Sequence, residues 1–373
     1  MEVPGGPGGE AGRKSRSMLK APVLIVLASI LGAAGLGLPA GPLDSTGRDT
    51  VPGGPRPREE PFVVRPFVSE QAGGWLGKAA CYGPHRDGQR PGGPSPSREE
   101  IREDLRIIAR HWAMIRLYGA SPPTETILDV IREEGLDIQV MLGVWIAPEE
   151  AWDEAGHLTG RFPERAEANR NEVDGGIRLA AAYPEIVTSL CVGNETQVSW
   201  SPHRSRLETV IQHIRRVRAR TELPVTTADD FNYWNKPESR ALAREIDFIN
   251  CYAHPLWNGL QLEDALRWTR LTYDEIRAAH PDREVVLGET GWATSKHDEG
   301  EQARLIKGRT GEEEQREFYR EVTAWSKREG IPVFLFEVFD ENWKGGDHPS
   351  EVEKHWGVYR ADRTPKKAVA DES

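Results

Sequence analysis

Two glutamates stand where an acid and a nucleophile could share one reaction. Glu195 closes the apolar run Leu190-Cys-Val-Gly-Asn-Glu195, and Glu289 closes Val286-Leu-Gly-Glu289. Retaining cleavage of a glycosidic bond uses such a pair: two carboxyl groups about 5–5.5 Å apart, one nucleophilic and one acting as acid and then base. Burial and mutual repulsion would push one pKa upward, leaving an acid beside a carboxylate. On spacing alone, a solvated loop charge is the ordinary reading of a glutamate after a strand. His85, His203 and His254 also fall near strand ends, but without the spacing of metal ligands. No Cys-x-x-Cys, His-x-His or His-Glu-x-x-His occurs, so no metal is expected.

The elements that would carry these residues are legible from residue 75 onward. Eight short apolar runs alternate with charged, helix-patterned stretches: Lys78–Gly83, Met114–Gly119, Asp137–Ile146, Ile186–Gly193, Pro224–Ala228, Ile246–Tyr252, Glu284–Gly288 and Ile331–Phe339. Runs of this length, bounded by Gly, Pro or charge, suit strands buried on both faces. Helices are expected over 101–111, 165–183, 203–220, 237–244 and 262–280. Another should open at Ser121-Pro122 and close at Gly135. Ser97 with Glu100 and Thr310 with Glu313 read as capping boxes, and Gly330 should end the second of those helices. Eight strand-helix units predict a closed (β/α)8 TIM barrel, an α/β fold with its site at the C-terminal ends of the strands. An open doubly wound sheet would want a Gly-rich phosphate turn, and none is present.

The first 60 of 373 residues hold 20 Gly or Pro, too many breakers for a core. Arg13, Lys14, Arg16 and Lys20 precede an uncharged stretch from Ala21 to Leu43. We expect a basic tail over 1–20 and a transmembrane anchor or signal peptide over 21–40. A Gly/Pro-rich linker over 41–74, the barrel over 75–364 and a tail over 365–373 complete the division. Basic residues before the span would leave the tail in the cytoplasm and the barrel outside it. A cleaved signal peptide, giving a secreted or periplasmic domain, is the alternative.

The charge balance, 48 basic against 59 acidic residues for a net −11, argues against a nucleic-acid partner. Three cysteines, each inside an apolar run, read as small buried hydrophobes. Of twelve tryptophans, Trp145, Trp200, Trp234, Trp257, Trp292 and Trp343 fall at or just beyond strand ends, as a sugar-stacking cleft would require. Trp112, Trp268 and Trp325 are assigned to helix packing.

Residue identity sharpens the reading. Asn194-Glu195 on the fourth strand with a glutamate on the seventh resembles clan A of the glycoside hydrolases. Val192-Gly-Asn-Glu195 with Gly288-Glu-Thr-Gly-Trp292 resembles glycoside hydrolase family 17, the β-1,3-glucanase and β-1,3-glucan transglycosylase family. Cys81-Tyr82-Gly-Pro, Ile115-Arg-Leu-Tyr-Gly119 and Phe336-Glu-Val-Phe-Asp-Glu-Asn-Trp-Lys344 fit in register, so the likeness spans about residues 76–360. Phe-Asp-Glu-Asn-Trp-Lys at 339–344 looks more like bacterial and fungal members than plant ones.

The resemblance implies a retaining enzyme without cofactor, with Glu195 as acid/base, Glu289 as nucleophile and Asn194 on the sugar 2-hydroxyl. It implies Tyr252 in support, with Tyr82, Arg116, Trp292, Glu341 and Lys344 lining the cleft. A β-glucan is the implied partner and a monomer the expected state. Transfer to a second sugar, a catalytically silent carbohydrate-binding barrel and a metal-dependent barrel hydrolase are the competing functions. The long insert Pro148–Glu164 would either block one end of the cleft or form a surface loop.

Overall fold

The computed structural model describes residues 62–67, 70–71, 74–75, 78–153 and 157–370. Its centre is a closed barrel of eight parallel strands: β1 (Lys78–Cys81), β2 (Met114–Arg116), β3 (Gln139–Val144), β4 (Val187–Asn194), β5 (Val225–Asp230), β6 (Phe248–Tyr252), β7 (Glu284–Thr290) and β8 (Val333–Leu335). Each strand pairs with the next, and Val333 of β8 registers with Lys78 of β1 to close the ring. All eight expected runs supply a strand. Between them run α1 (Arg98–Ile108), α2 (Thr124–Glu134), α3 (Pro163–Ala182), α4 (Leu207–Arg218), α5 (Ser239–Ala243), α6 (Leu262–Ala279), α7 (Glu312–Glu329) and α8 (Lys367–Ala370).

Local chemistry sets the helix ends. Ser97 Oγ accepts from the Glu100 amide while Glu100 Oε2 accepts from the Ser97 amide, the reciprocal cap expected of α1. Gly135 and Gly330 close α2 and α7 in the left-handed region. The capping box expected at Thr310 and Glu313 does not form: α7 starts at Glu312, with Gly311 before it and no side-chain cap. Three glutamates in its first turn complement the helix dipole instead. α1 stops at Ile108, so Trp112 follows the helix and is buried there; Trp325 is buried on α7, and Trp268 packs edge-on to Phe231.

Inside the barrel Asn250 of β6 reaches Met141 Sδ of β3 at 3.4 Å and Cys191 Sγ of β4 at 3.6 Å. Gly288 makes this possible, because a Cβ there would stand 1.5 Å from Asn250 Oδ1. All three cysteines are buried and unpaired, as expected of small hydrophobes.

The fold reaches past both ends of the domain drawn from sequence. Residues 62–67, assigned to linker, strap the N-terminal end of the barrel. The Arg65 amide donates to Asp247 Oδ1 at 2.8 Å, and its guanidinium reaches the carbonyls of Thr221, Leu223 and Arg218. Phe67 packs on Phe248, with ring centroids 4.9 Å apart, and Phe62 lies under the guanidiniums of Arg218 and Arg283. At the other end, Lys366 is buried, bonded to Asp340 and Thr294, and leads into α8 against α7. Linker and tail composition hid both segments because a few anchoring side chains, rather than a periodic pattern, hold them.

Among the described residues no helix is long and apolar enough to cross a membrane. The expected basic tail and the anchor or signal segment over 21–40 lie outside the described residues.

Asp247 joins strap to barrel: its carboxylate holds Arg218, the Arg65 amide and the Val225 amide together, all at the buried end opposite the strand C-termini. Removing one partner of a buried ion pair strands the other charge and costs about 3–5 kcal/mol. We expect Asp247→Ala to lower unfolding free energy by about 3 kcal/mol in urea titrations; a loss under about 1 kcal/mol would refute the strap's contribution.

Candidate active site

The C-terminal ends of β4, β6 and β7 each depart from regular pairing where a polar residue emerges. Register shifts fall between Cys191 and Asn194, between Cys251 and Tyr252, and between Leu287 and Thr290. Gly193 at φ 85° and Glu195 at φ 49° both sit in the left-handed region. For glycine that is free; for a glutamate it is a strained backbone held by its surroundings, here the bond from the Glu195 amide to Ala228 O at 2.9 Å. Such irregularities turn a side chain toward the mouth that a regular strand would direct elsewhere.

Arg116 at the end of β2 links the strand ends. It is 1% exposed. Its Nη1 donates to Glu289 Oε1 at 2.7 Å, and its Nη2 donates to Asn194 Oδ1 at 2.8 Å and to the Tyr252 hydroxyl. Tyr252 in turn donates to Asn194 Oδ1. With that oxygen occupied, the amide N–H groups are what Asn194 offers to a bound molecule. Glu289 Oε1 also accepts from Tyr118 at 2.8 Å, and Oε2 lies 3.4 Å from His254 Nε2.

The two glutamates therefore live in opposite environments. Burial works against ionising Glu289, but the His254 contact, the Arg116 charge and the Tyr118 hydroxyl outweigh it and hold its pKa below the ordinary carboxylate value. No such donors are seen on the Glu195 carboxyl among the described residues. Burial first, then the charges of Glu289, Asp229 and Asp230, push its pKa well above the usual range. Its Oε2 is buried and accepts no hydrogen bond from the described protein. Asp229 holds the loop behind Glu195, accepting from the amides of Gln197 at 2.7 Å and Asp230 at 3.0 Å. Burial also raises the Asp229 pKa to about 8 and the Asp230 pKa to about 6. One carboxyl pushed up and the other held down is the acid-plus-nucleophile pairing the sequence raised.

A second polar group follows β8. Lys344 Nζ bridges Glu341 Oε2 at 2.7 Å and Glu337 Oε2 at 2.6 Å, and Glu341 also accepts from the Trp343 indole at 2.9 Å. Burial opposes the Glu341 charge, but Lys344 and the His85 and Trp343 contacts hold its pKa down. Burial drives Glu337 up. Glu353 accepts the Trp257 indole at 3.0 Å, and burial raises its pKa despite the nearby charges of Lys344 and His254.

Two expected lining residues belong elsewhere. The Tyr82 hydroxyl donates to Asp104 Oδ2 at 3.0 Å, in a buried cluster with Arg86 and Arg363. Trp292 is 1% exposed, donates its indole N–H to Arg309 O and packs on Phe318. Trp234 and Trp257 are likewise buried, so of the six strand-end tryptophans only Trp145, Trp200 and Trp343 keep partial exposure. Tyr118, His254, Glu337 and Glu353 went unassigned in the sequence. The first two stand two residues beyond Arg116 and Tyr252, so the strand period of two could have found them; Glu353 carries no local signal. The three strand-end histidines are dispersed, His85 to Glu341, His203 to Trp145 and His254 to Glu289. The described residues contain no group of three or more potential metal ligands.

Residues 79–357 match the model of the BtgE/BtgC glycoside hydrolase domain. A glucan 1,3-beta-glucosidase of Arthroderma benhamiae is 25% identical over 293 residues, covering 74% of this chain and 86% of the relative. A putative glucan endo-1,3-beta-glucosidase of Aspergillus niger is 28% identical over 293 residues, but the match spans only 40% of that longer protein. Among solved structures, an endo-laminarinase from Formosa superposes with a TM-score of 0.68 at 24% identity, covering 79% of this chain and 87% of that one. A family 17 beta-1,3-glucanosyltransferase from Rhizomucor miehei gives 0.60 at 22%, covering 78% and 96%. These two likenesses show the shared barrel.

The Glu195 environment has a thermodynamic consequence. A carboxyl whose pKa is raised by folding contributes stability that is complete below its unfolded value, near 4.5, and is lost as pH rises through the folded value. Glu195→Gln removes that loss. Its melting temperature should pull ahead of the wild type from pH 4.5 to neutrality, by about 3 °C or more. Parallel melting curves across that range would show that Glu195 is not held protonated.

Proposed function

Because the chain belongs to the BtgE/BtgC glycoside hydrolase domain family, we propose that it is a retaining glycosidase acting on β-1,3-glucan through Glu195 and Glu289. The opposite displacement of the two carboxyl pKa values carries the reading. Glu289, kept ionised by Arg116, Tyr118 and His254, attacks the anomeric carbon of the sugar at the cleavage point. Glu195, kept protonated by burial, gives its proton to the departing glycosidic oxygen as that bond breaks. The covalent glycosyl-enzyme is then opened by water, with Glu195 taking the water's proton as base. Asn194, its carbonyl oxygen tied to Arg116 and Tyr252, presents its amide N–H to the 2-hydroxyl, where a hydrogen bond tightens as positive charge develops. Glu341 and Lys344 line the mouth after β8. The names of the curated relatives support the substrate class.

A second sugar in place of water would turn the same intermediate to transglycosylation. Partly exposed Trp145 and Trp200 beside the end of β4 favour an acceptor sugar there. For location, we hold to a single-pass anchor over 21–40 with the barrel outside the cytoplasm.

The reading is tested with the full chain and a defined β-1,3-gluco-oligosaccharide, following product lengths by mass spectrometry. Shorter products mean hydrolysis, longer ones transfer, and no change from folded protein removes the proposed substrate. Glu289→Gln should lower kcat at least about a thousandfold while glucan binding persists. Glu195→Gln should spare kcat/KM for aryl glycosides with good leaving groups, which reports formation of the glycosyl-enzyme, while lowering their kcat through slowed opening by water and abolishing turnover of glucan. Equal losses on both substrates would contradict the acid assignment. The kcat/KM profile should be bell-shaped, its acid limb from ionisation of Glu289 and its alkaline limb from loss of the Glu195 proton.

A further inference from the structure

The insert after β3 forms a two-stranded hairpin, Glu150–Trp152 with Leu158–Arg161, at the mouth end of the barrel. Trp152 registers directly with Leu158, so the two side chains share one face, and they are 40% and 39% exposed. Trp152 and Leu158 thus present a small apolar face to solvent.

The face is held rather than loose. The Arg206 guanidinium lies 4.9 Å from the Trp152 ring centroid and also reaches Glu208 at 3.3 Å. The hairpin base is fastened to α3 and α4. Asn169 donates to Ala147 O at 2.8 Å and to Glu149 Oε1 at 2.9 Å, and His213 Nε2 lies 2.8 Å from the same Glu149 oxygen. It is also tied to the loop that leaves the candidate site. Trp145 at the end of β3 meets the edge of His203 at 4.6 Å; His203 and Arg206 share the loop that follows Glu195, and Arg206 covers Trp152. Flat side chains thus run outward along the β3 and β4 rim.

We propose that Trp152, with Leu158 and Arg206, is a remote sugar-binding subsite that takes a glucose unit of a long β-1,3-glucan, several units from the bond being cleaved. The indole and leucine meet the C–H face of a pyranose, and Arg206 supplies N–H donors to hydroxyls at its edge. The net charge of −11 suits a neutral polysaccharide better than an anionic surface. The inference rests on the glucan-active reading and deepens it, giving the hairpin a part in choosing chain length.

The test uses the full chain in detergent. Initial rates are taken on a β-1,3-linked glucotriose and on a long soluble β-1,3-glucan. Trp152→Ala should lower the ratio of kcat/KM for the long glucan to that for the triose by about threefold to tenfold. Trp152→Phe should restore most of it. An unchanged ratio, whether from no effect or from equal loss on both substrates, would overturn the subsite. So would a change of oligomeric state in size-exclusion runs, which would give the face to a second copy of the chain. Retardation in glucan-containing gels, measured with Glu289→Gln alone and combined with Trp152→Ala, separates this inference from the reading beneath it. If turnover is absent but retardation falls with the tryptophan, the subsite stands and hydrolysis falls. Absence of retardation in both variants overturns the subsite, while turnover of glucan by the wild type decides the reading beneath it.

Discussion

One buried guanidinium decides the chemistry of the mouth. Arg116 brings a full positive charge to the strand ends, and its geometry hands that charge to Glu289. Its other nitrogen is spent on Asn194 and Tyr252, neutral acceptors that fix the residue before Glu195 without touching the Glu195 carboxyl. Two carboxyls that began chemically identical are therefore displaced in opposite directions from the ordinary carboxylate value. Everything nearby serves this asymmetry. Tyr118 and His254 add donors to Glu289, while Asp229 and Asp230 add negative charge behind Glu195.

The barrel supplies what that asymmetry needs: rigid strand ends converging on one mouth. Gly288 leaves room for Asn250 in the layer below, so β7 approaches its neighbours closely just before Glu289. The positive φ of Glu195 is a cost the fold carries at the site, and stability is gathered at the far end. There Arg65, Arg218 and Asp247 form a buried knot and Phe67 seals the entrance to β6. Stabilising and reactive groups thus occupy opposite ends of the same strands, which lets the mouth loops vary without loosening the core.

What could be read in the sequence followed from periodicity. Eight apolar runs yielded eight strands, and Glu195 and Glu289 stood out at their ends, whereas Asn194, Arg116 and Tyr252 came from the resemblance to family 17. The failures have a common physical cause: a strand end fixes where a residue is, not which way its side chain turns. Trp292 and Tyr82 lie at the expected ends but point into the packing, one to a backbone carbonyl and one to Asp104. The Thr310 cap gave way to Gly311, since a tertiary context that begins α7 at Glu312 overrides a local pattern. Residues 62–67 and 366–370 were invisible because their hold on the barrel comes from single long-range contacts that leave no period in the chain.

The central claim is that Glu289 is the ionised partner and forms the covalent bond. The most direct measurement is to trap it. A 2-deoxy-2-fluoro glucoside with a good leaving group slows opening of a glycosyl-enzyme more than its formation, so the sugar should remain attached. Digestion and tandem mass spectrometry should then place one added sugar on the peptide carrying Glu289, with none on the peptide carrying Glu195. A label on Glu195, or on any other side chain, would invert or remove the assignment on which the account depends.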